Sequence, residues 1–294
     1  MELRQLVYFA RVAELGNFTR AAQTLHLVQP ALSQQVAALE RELGLPLFHR
    51  GARGVRLTEA GERLLPYVRR VLGELERAQQ AVGELRELRT GRVALGLTPS
   101  ATLSLLPAIL ETYRARHPAV EVQIVEEMTD ALVEQLLDGR LDLALVSFPV
   151  EDPRLEMQPL VSERLALVVP PDHRLAAAET VDLAELAGEP WILPYRRHGT
   201  RALVEAACQQ AGFSLRVAVE LSGLGPIKQL VQRGVGLSIL PPAIVENESK
   251  LGLLRTVQIA HPPLIRTLGL ARRRGEHPTP AAAAMVRIIE SLRP

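Results

Sequence analysis

Apolar residues in the first ninety positions recur at helical spacing. Leu6, Phe9, Ala10 and Ala13 mark one short amphipathic helix, which "LGN" then stops. Asn17 is a candidate N-cap for a second helix through "FTRAAQTLH". A third runs through "QPALSQQVAALERELG", with Pro30 in its first turn and Gly44 as its C-terminal glycine. Leu32, Val36, Leu39 and Leu43 line one side of it, and Pro30, Ser33, Gln34, Ala37 and Arg41 line the other. Two helices, a tight turn and a third helix give the layout of a helix-turn-helix unit.

Past Gly44 the pattern changes twice. "LPLFHRGARGVRL" reads as an apolar anchor followed by a glycine-rich hairpin. From Thr58, a candidate cap with Glu59 and Glu62 in the first turns, a long helix carries Leu64, Val68, Val71, Leu75, Ala78, Val82 and Leu85 at alternating spacings of four and three. That heptad seam predicts a dimerisation helix, which would hold two recognition helices at a fixed separation on a two-fold DNA site.

Beyond "RTGR" the period switches to short apolar runs separated by helices. "GRVALGLT" predicts a strand, a helix follows from about Thr102 to "RARHP", and "VEVQIVEE", "TDALVEQLLDGR" and "LDLALVSF" predict strand, helix and strand. A second round passes through "ERLALVVP", "PWILP", "GTRALVEAACQQAG", "LRVAVEL", "GPIKQLVQRG" and "LSILP". "RTLGLARR" is read as a return strand and "PAAAAMVRIIESL" as a closing helix. Two α/β halves crossed by the chain predict a hinged pair with a ligand site in the cleft. The expected divisions are 1–58, 59–90 and 91–294, the last split into about 91–161 with 270–294 and about 162–269.

Charge sharpens the picture locally. The formal net charge is +1, but the first ninety residues hold thirteen arginines against ten glutamates. Arg50, Arg53 and Arg56 sit in the hairpin with no acidic residue between His49 and Leu57, a natural contact for phosphate or the minor groove. On the third helix, Ser33 and Gln34 can hydrogen-bond base edges, Arg41 can pair with phosphate, and Ala37 permits close approach. A purely solvated helix face is the simpler alternative.

The segment "NFTRAAQTLHLVQPALSQQVAALERELGLPLFHRGARGVRLTEAG" resembles the DNA-binding segment of the LysR-type transcriptional regulators. The resemblance implies a winged helix-turn-helix, a linker helix and a C-terminal effector region resembling periplasmic solute-binding proteins. It places DNA contacts on Gln29, Pro30, Ser33 and Gln34, with Arg50 and Arg53 in the wing. Gln34 departs from the arginine often found there, and Val28 from the serine or threonine that would cap the helix. The family most often forms tetramers. Double-stranded DNA, a small anionic effector, further copies of the chain and RNA polymerase are therefore the expected partners.

Ser100 and Thr102 follow a strand at a helix start, as do Thr129 and Thr200, and Ser147 ends a strand. Free N–H groups and hydroxyls at such places favour a carboxylate, although each residue has a simpler reading as a helix cap. The family resemblance singles out Ser100 and Thr129 among them. Arg196 and Arg197 could neutralise a ligand or simply stand in solvent.

No catalytic or cofactor pattern appears. The seven histidines lack paired-ligand spacing, and there is no G-x-S-x-G elbow or phosphate loop. A single cysteine excludes a disulfide framework. No apolar run approaches the roughly 20 residues needed to span a bilayer, and the start is unlike a signal peptide, so a cytoplasmic location is expected. Two alternatives stay open. One is a solute-binding module without DNA binding. The other is a peroxide sensor using Cys208, although Thr200 stands where such sensors in the family place their reactive thiol.

Overall fold

The computed structural model describes residues 1–51, 54–83, 91–196 and 198–292. The chain divides into two compact units.

The N-terminal unit contains α1 (Leu3–Leu15), α2 (Phe18–Thr24), α3 (Gln29–Leu43), β1 (Phe48–Gly51), β2 (Gly54–Leu57) and α4 (Glu59–Gly83). Its helix ends follow local chemistry. Asn17 Oδ1 accepts the N–H of Arg20 at 3.0 Å, and Gly44 closes α3 at φ 70°. Val28 precedes α3 without any side-chain cap, so Pro30 starts that helix by needing no partner for an N–H. Leu32, Val36 and Leu39 meet Phe9, Phe18 and Phe48 in one core, where Phe48 lies 5.3 Å from Phe9 and 5.7 Å from Phe18 by ring centroid. Leu43 does not join them: at the last turn of α3 it has passed beyond the core and is exposed.

In the C-terminal unit the elements run β3 (Gly91–Leu97), α5 (Pro99–Ser104), α6 (Leu106–Arg116), β4 (Val120–Glu126), α7 (Thr129–Leu137), β5 (Leu143–Ser147), β6 (Leu155–Arg164), β7 (Ala166–Val169), β8 (Thr180–Val181), β9 (Pro190–Pro194), α8 (Gly199–Gln210), β10 (Arg216–Leu221), α9 (Leu224–Gln232), β11 (Ser238–Leu240), α10 (Glu246–Lys250), β12 (Arg255–Ile259), β13 (Ile265–Arg273) and α11 (Pro280–Ser291). Two sheets result. The first has the order β4-β3-β5-β13-β6, with β3, β4 and β5 parallel and β13 antiparallel to both neighbours. The second has the order β11-β7-β12-β8. The parallel pair β9–β10 joins it through a bridge from Trp191 to Leu237.

Period-two alternation builds the faces of the second sheet. Leu167, Val169, Trp191 and Leu193 pack under α8, while Val168 and Ile192 point the other way onto α9. In the first sheet, Gly96 leaves room for α7: a Cβ there would come 2.6 Å from both Leu132 Cδ2 and Leu141 Cδ1. The chain passes between sheets at two adjacent points, where the N–H of Leu165 donates to the carbonyl of Leu264 at 2.8 Å. β6 and β13 thus stay in the first sheet as far as Arg164 and from Ile265 onward. The strand β6 was not foreseen, because Pro159 and a register shift beside Gly269 interrupt its alternation.

Candidate functional site

In the N-terminal unit, the buried seam of α3 turns its opposite side outward. Gln29, Pro30 and Gln34 are exposed, and Ser33 and Ala37 are half-buried beside them. Arg41 is exposed as well, its Nε reaching back to the Ala37 carbonyl at 3.4 Å. Polar contacts hold the wing against this helix. Glu40 Oε1 accepts the N–H groups of Leu47 at 2.8 Å and Phe48 at 3.3 Å. Val55 N–H donates to the carbonyl of Gly16 at 3.1 Å, tying β2 to the end of α1. Thr58 Oγ1 donates to Pro46 O at 2.6 Å and accepts from Gly61 N–H at 3.1 Å, so it caps α4 and fastens it to the wing. Arg50 is described by its backbone, paired with Val55, and Arg53 lies outside the described residues.

The heptad seam of α4 divides in two. Val68 is buried in the unit's own core with Leu64 beside it, whereas Val71 and Leu75 are exposed. Tyr67 is also exposed, with the Arg70 guanidinium 4.6 Å from its ring centroid. Leu85, the last position of the seam, lies outside the described residues.

In the C-terminal unit, the parallel strands β3, β4 and β5 end together. Leu97 is paired with Glu126 and with Leu145, and the N–H of Thr98 donates to the carbonyl of Leu145 at 3.1 Å. Thr98, Thr129 and Ser147 are therefore neighbours at one edge, as the carboxyl-end rule for such sheets requires. β13 runs the other way and brings the start of its strand, with Arg266, to the same edge. Arg266 Nη1 donates to Ser100 Oγ at 2.7 Å and Nε donates to Glu163 Oε1 at 2.6 Å. Nη2 lies 2.5 Å from the same Glu163 oxygen, yet its geometry completes no hydrogen bond.

The second α/β half meets this edge through the N-terminus of α8. A Cβ placed on Gly199 would lie 3.4 Å from Ser147 Cβ, so the helix start sits directly on the end of β5. His198 and Thr200 flank that glycine at 5% and 4% exposure. Among the described residues, both ring nitrogens of His198, Thr200 Oγ1 and Thr98 Oγ1 are buried without a hydrogen-bond partner. Unpartnered polar atoms cost free energy in a folded interior, so a cluster of them at one place is a site shaped for something else to complete. Burial, reinforced by the Arg266 charge, pushes the His198 imidazole down to about 4, so the ring is neutral. Burial also pulls the Arg266 guanidinium below its ordinary range, against the opposing influence of Glu163.

Of the residues expected here, Ser100, Ser147 and Thr200 are gathered by the two halves, and Thr129 stands half-buried at the neighbouring turn. Thr102 turns away: its Oγ1 donates to the Thr98 carbonyl at 3.3 Å inside its own helix. Arg196 is exposed, 3.7 Å from Glu205, and Arg197 lies outside the described residues. Arg266, Glu163 and His198 were missed. The available signal was Arg266 standing just before the apolar stretch of the return strand. Cys208 is buried in the core of the second half, where burial and then Glu205 push its thiol up to about 11. Among the described residues no group of His, Cys, Asp or Glu could hold a metal ion, and no helix is long and apolar enough to cross a membrane.

A winged helix-turn-helix, a long helix with an exposed apolar stripe and a two-lobed α/β unit with a polar cleft define a DNA-binding regulator with an effector-binding domain. The chain belongs to the LysR family: residues 3–62 match the bacterial regulatory helix-turn-helix protein, lysR family, and residues 86–293 match the LysR substrate binding domain. It is 33% identical to the HTH-type transcriptional regulator CfxR of Cupriavidus necator, across 96% of this chain and 89% of that one. It is 35% identical to a probable hydrogen peroxide-inducible genes activator of Streptomyces viridosporus, across 93% and 88%. Among solved structures it is similar to a full-length cysteine-to-aspartate variant of OxyR from Pseudomonas aeruginosa, at TM-score 0.78 and 27% identity over 99% of this chain and 94% of that one. It is also similar to full-length CbnR complexed with its target DNA, at TM-score 0.73 and 26% identity over 99% of both chains. These relatives are transcriptional regulators rather than enzymes.

Proposed function

We propose that this regulator binds a two-fold promoter site as a homo-oligomer paired through α4, and that a small carboxylate in the cleft of the C-terminal unit modulates its binding or activation. Gln29, Pro30, Ser33 and Gln34 meet the bases and adjoining backbone, and Arg50 and Arg53 hold the wing on phosphate. Ser100, Thr129, Ser147, Thr200, His198 and Arg266 surround the effector. RNA polymerase is the further partner that an activating mode requires.

The observation that carries the effector reading is the set of buried polar atoms on Thr98, His198 and Thr200 that lack a partner among the described residues, at the N-terminus of α8. A carboxylate supplies acceptors for several such donors at once and is favoured by the helix dipole. The exposed Val71 and Leu75 support pairing through α4.

Thermal-shift screening against short mono- and dicarboxylates tests the cleft, since a ligand that binds the folded state raises its melting temperature. Salt-titrated binding to a two-fold duplex tests the wing. An Arg53→Ala variant is expected to bind more weakly with a shallower salt slope, and an unchanged slope removes that assignment.

A peroxide-sensing reading draws support from the peroxide-inducible relative. The buried Cys208 thiol, held far from its reactive anion, weighs against it.

A further inference from the structure

Charge balance in the cleft points to a role for His198. Arg266 is already matched by Glu163, with Nε 2.6 Å and Nη2 2.5 Å from one carboxylate oxygen. A carboxylate seated beside this pair would be a net buried negative charge, which is unfavourable unless another positive charge joins it. Among the described residues, the surrounding elements offer few candidates. The turn from β3 to α5 brings Thr98 and Ser100, and β5 brings Ser147, none of them ionisable in the working range. β6 and β13 bring Glu163 and Arg266 themselves. At the turn into α7, Glu127 and Asp130 are exposed. On α8, Arg201 is turned into the second half, donating to Pro194 O at 3.0 Å and to Glu205 at 2.8 Å. Arg196 stands in solvent near the same glutamate.

Among the described residues, that leaves the imidazole of His198. It is 5% exposed, both nitrogens lack partners among the described residues, and it immediately precedes the glycine that sits on Ser147. It opens a twelve-residue helix with no side-chain cap of its own.

We propose that His198 takes up a proton when a carboxylate enters the cleft and becomes the ligand's counter-charge, so that it selects anionic over neutral effectors. This rests on the cleft reading above. The step balances as one proton from solvent added to one ring nitrogen, with no other bond made or broken. The imidazolium then donates from both nitrogens, where the neutral ring donates from one. Free His198 titrates near 4, and its affinity for a proton rises in the complex. Between those two values each ligand carries in about one proton, and Kd weakens about tenfold per pH unit.

The test is isothermal titration calorimetry on the full chain, between about pH 5 and 7, in buffers of different ionisation enthalpy. The probe is whichever short mono- or dicarboxylate gives the largest thermal shift at the acid end, alongside its amide. The expected result is uptake of about one proton per carboxylate, none for the amide, and affinity for the acid that falls with pH. His198→Asn keeps hydrogen-bonding capacity without titrating, and is expected to bind the carboxylate at least tenfold more weakly with no proton uptake. His198→Gln serves in its place if the asparagine variant does not fold. Carboxylate binding without proton uptake, or a histidine variant that keeps the pH slope, overturns this proposal and leaves the cleft reading standing. Failure of every carboxylate to shift the melting temperature overturns both.

Discussion

Replacing Arg266 by methionine keeps most of the side-chain volume and removes a buried charge. The hydrogen bond to Ser100 Oγ at 2.7 Å disappears, and Glu163 loses its partner at 2.6 Å. Taking one member from a buried ion pair costs about 3–5 kcal/mol, chiefly because the other charge is stranded. Glu163 retains 19% side-chain exposure and can draw water, which places the loss near the lower end, about 3 kcal/mol. At roughly 2–4 °C per kcal/mol for a unit of this size, the transition should fall by about 6–12 °C. Differential scanning calorimetry of the full chain reads this directly. The double variant Arg266→Met/Glu163→Gln separates charge from packing: with neither charge present it should recover about half the loss or more. Acid behaviour supplies a second readout. His198 is depressed from 6.5 to about 4, so the unfolded chain protonates first and stability falls as pH drops through that window, by about 3 kcal/mol in total. Removing the Arg266 charge should make that acid limb shallower, while burial keeps it from vanishing. A variant that melts within about 2 °C of the parent, or a double variant less stable than the single, would refute the buried-pair description.

Other substitutions check the remaining supports. Asn17→Ala loses the cap on Arg20 N–H and should cost about 1 kcal/mol by urea denaturation, with no change in cleft ligand affinity. Gly61→Ala would place a Cβ 2.8 Å from Leu57 Cδ2 and against the Leu47 carbonyl, so it should destabilise the N-terminal unit by about 2–3 kcal/mol and weaken duplex binding by shifting the wing anchor. With the Cys208 thiol near 11, about one molecule in a thousand carries thiolate at about pH 8. A thiol reagent should therefore label the native chain only as fast as it opens, and peroxide should leave DNA binding of the parent and of Cys208→Ser alike; rapid native labelling would contradict the burial.

What the sequence makes legible is what its near neighbours decide. Asn17, Pro30 and Gly44 act within three or four residues of themselves, as does Thr58 in capping α4, and each does in space what its position suggests. The α/β alternation is equally local, since the sheet faces follow from period two along each strand. Leu43 shows where that logic stops: helical spacing assigns it to the seam, but the neighbours that would bury it end one turn earlier. The cleft lies further out of reach. Glu163 and Arg266 are 103 positions apart and meet because β6 pairs with β13, and the former strand is disguised by Pro159 and its register shift. In sequence Ser100 and Thr200 read as helix caps, but the capping positions fall on Thr98 and His198. Ser100 receives a guanidinium from a strand 166 positions away, while Thr200 is left with a buried hydroxyl that no described residue satisfies. No single residue in this cluster is unusual in sequence. Its character comes from simultaneous burial of several polar groups that cannot complete one another, which is a property of the packed halves and is invisible to any window along the chain.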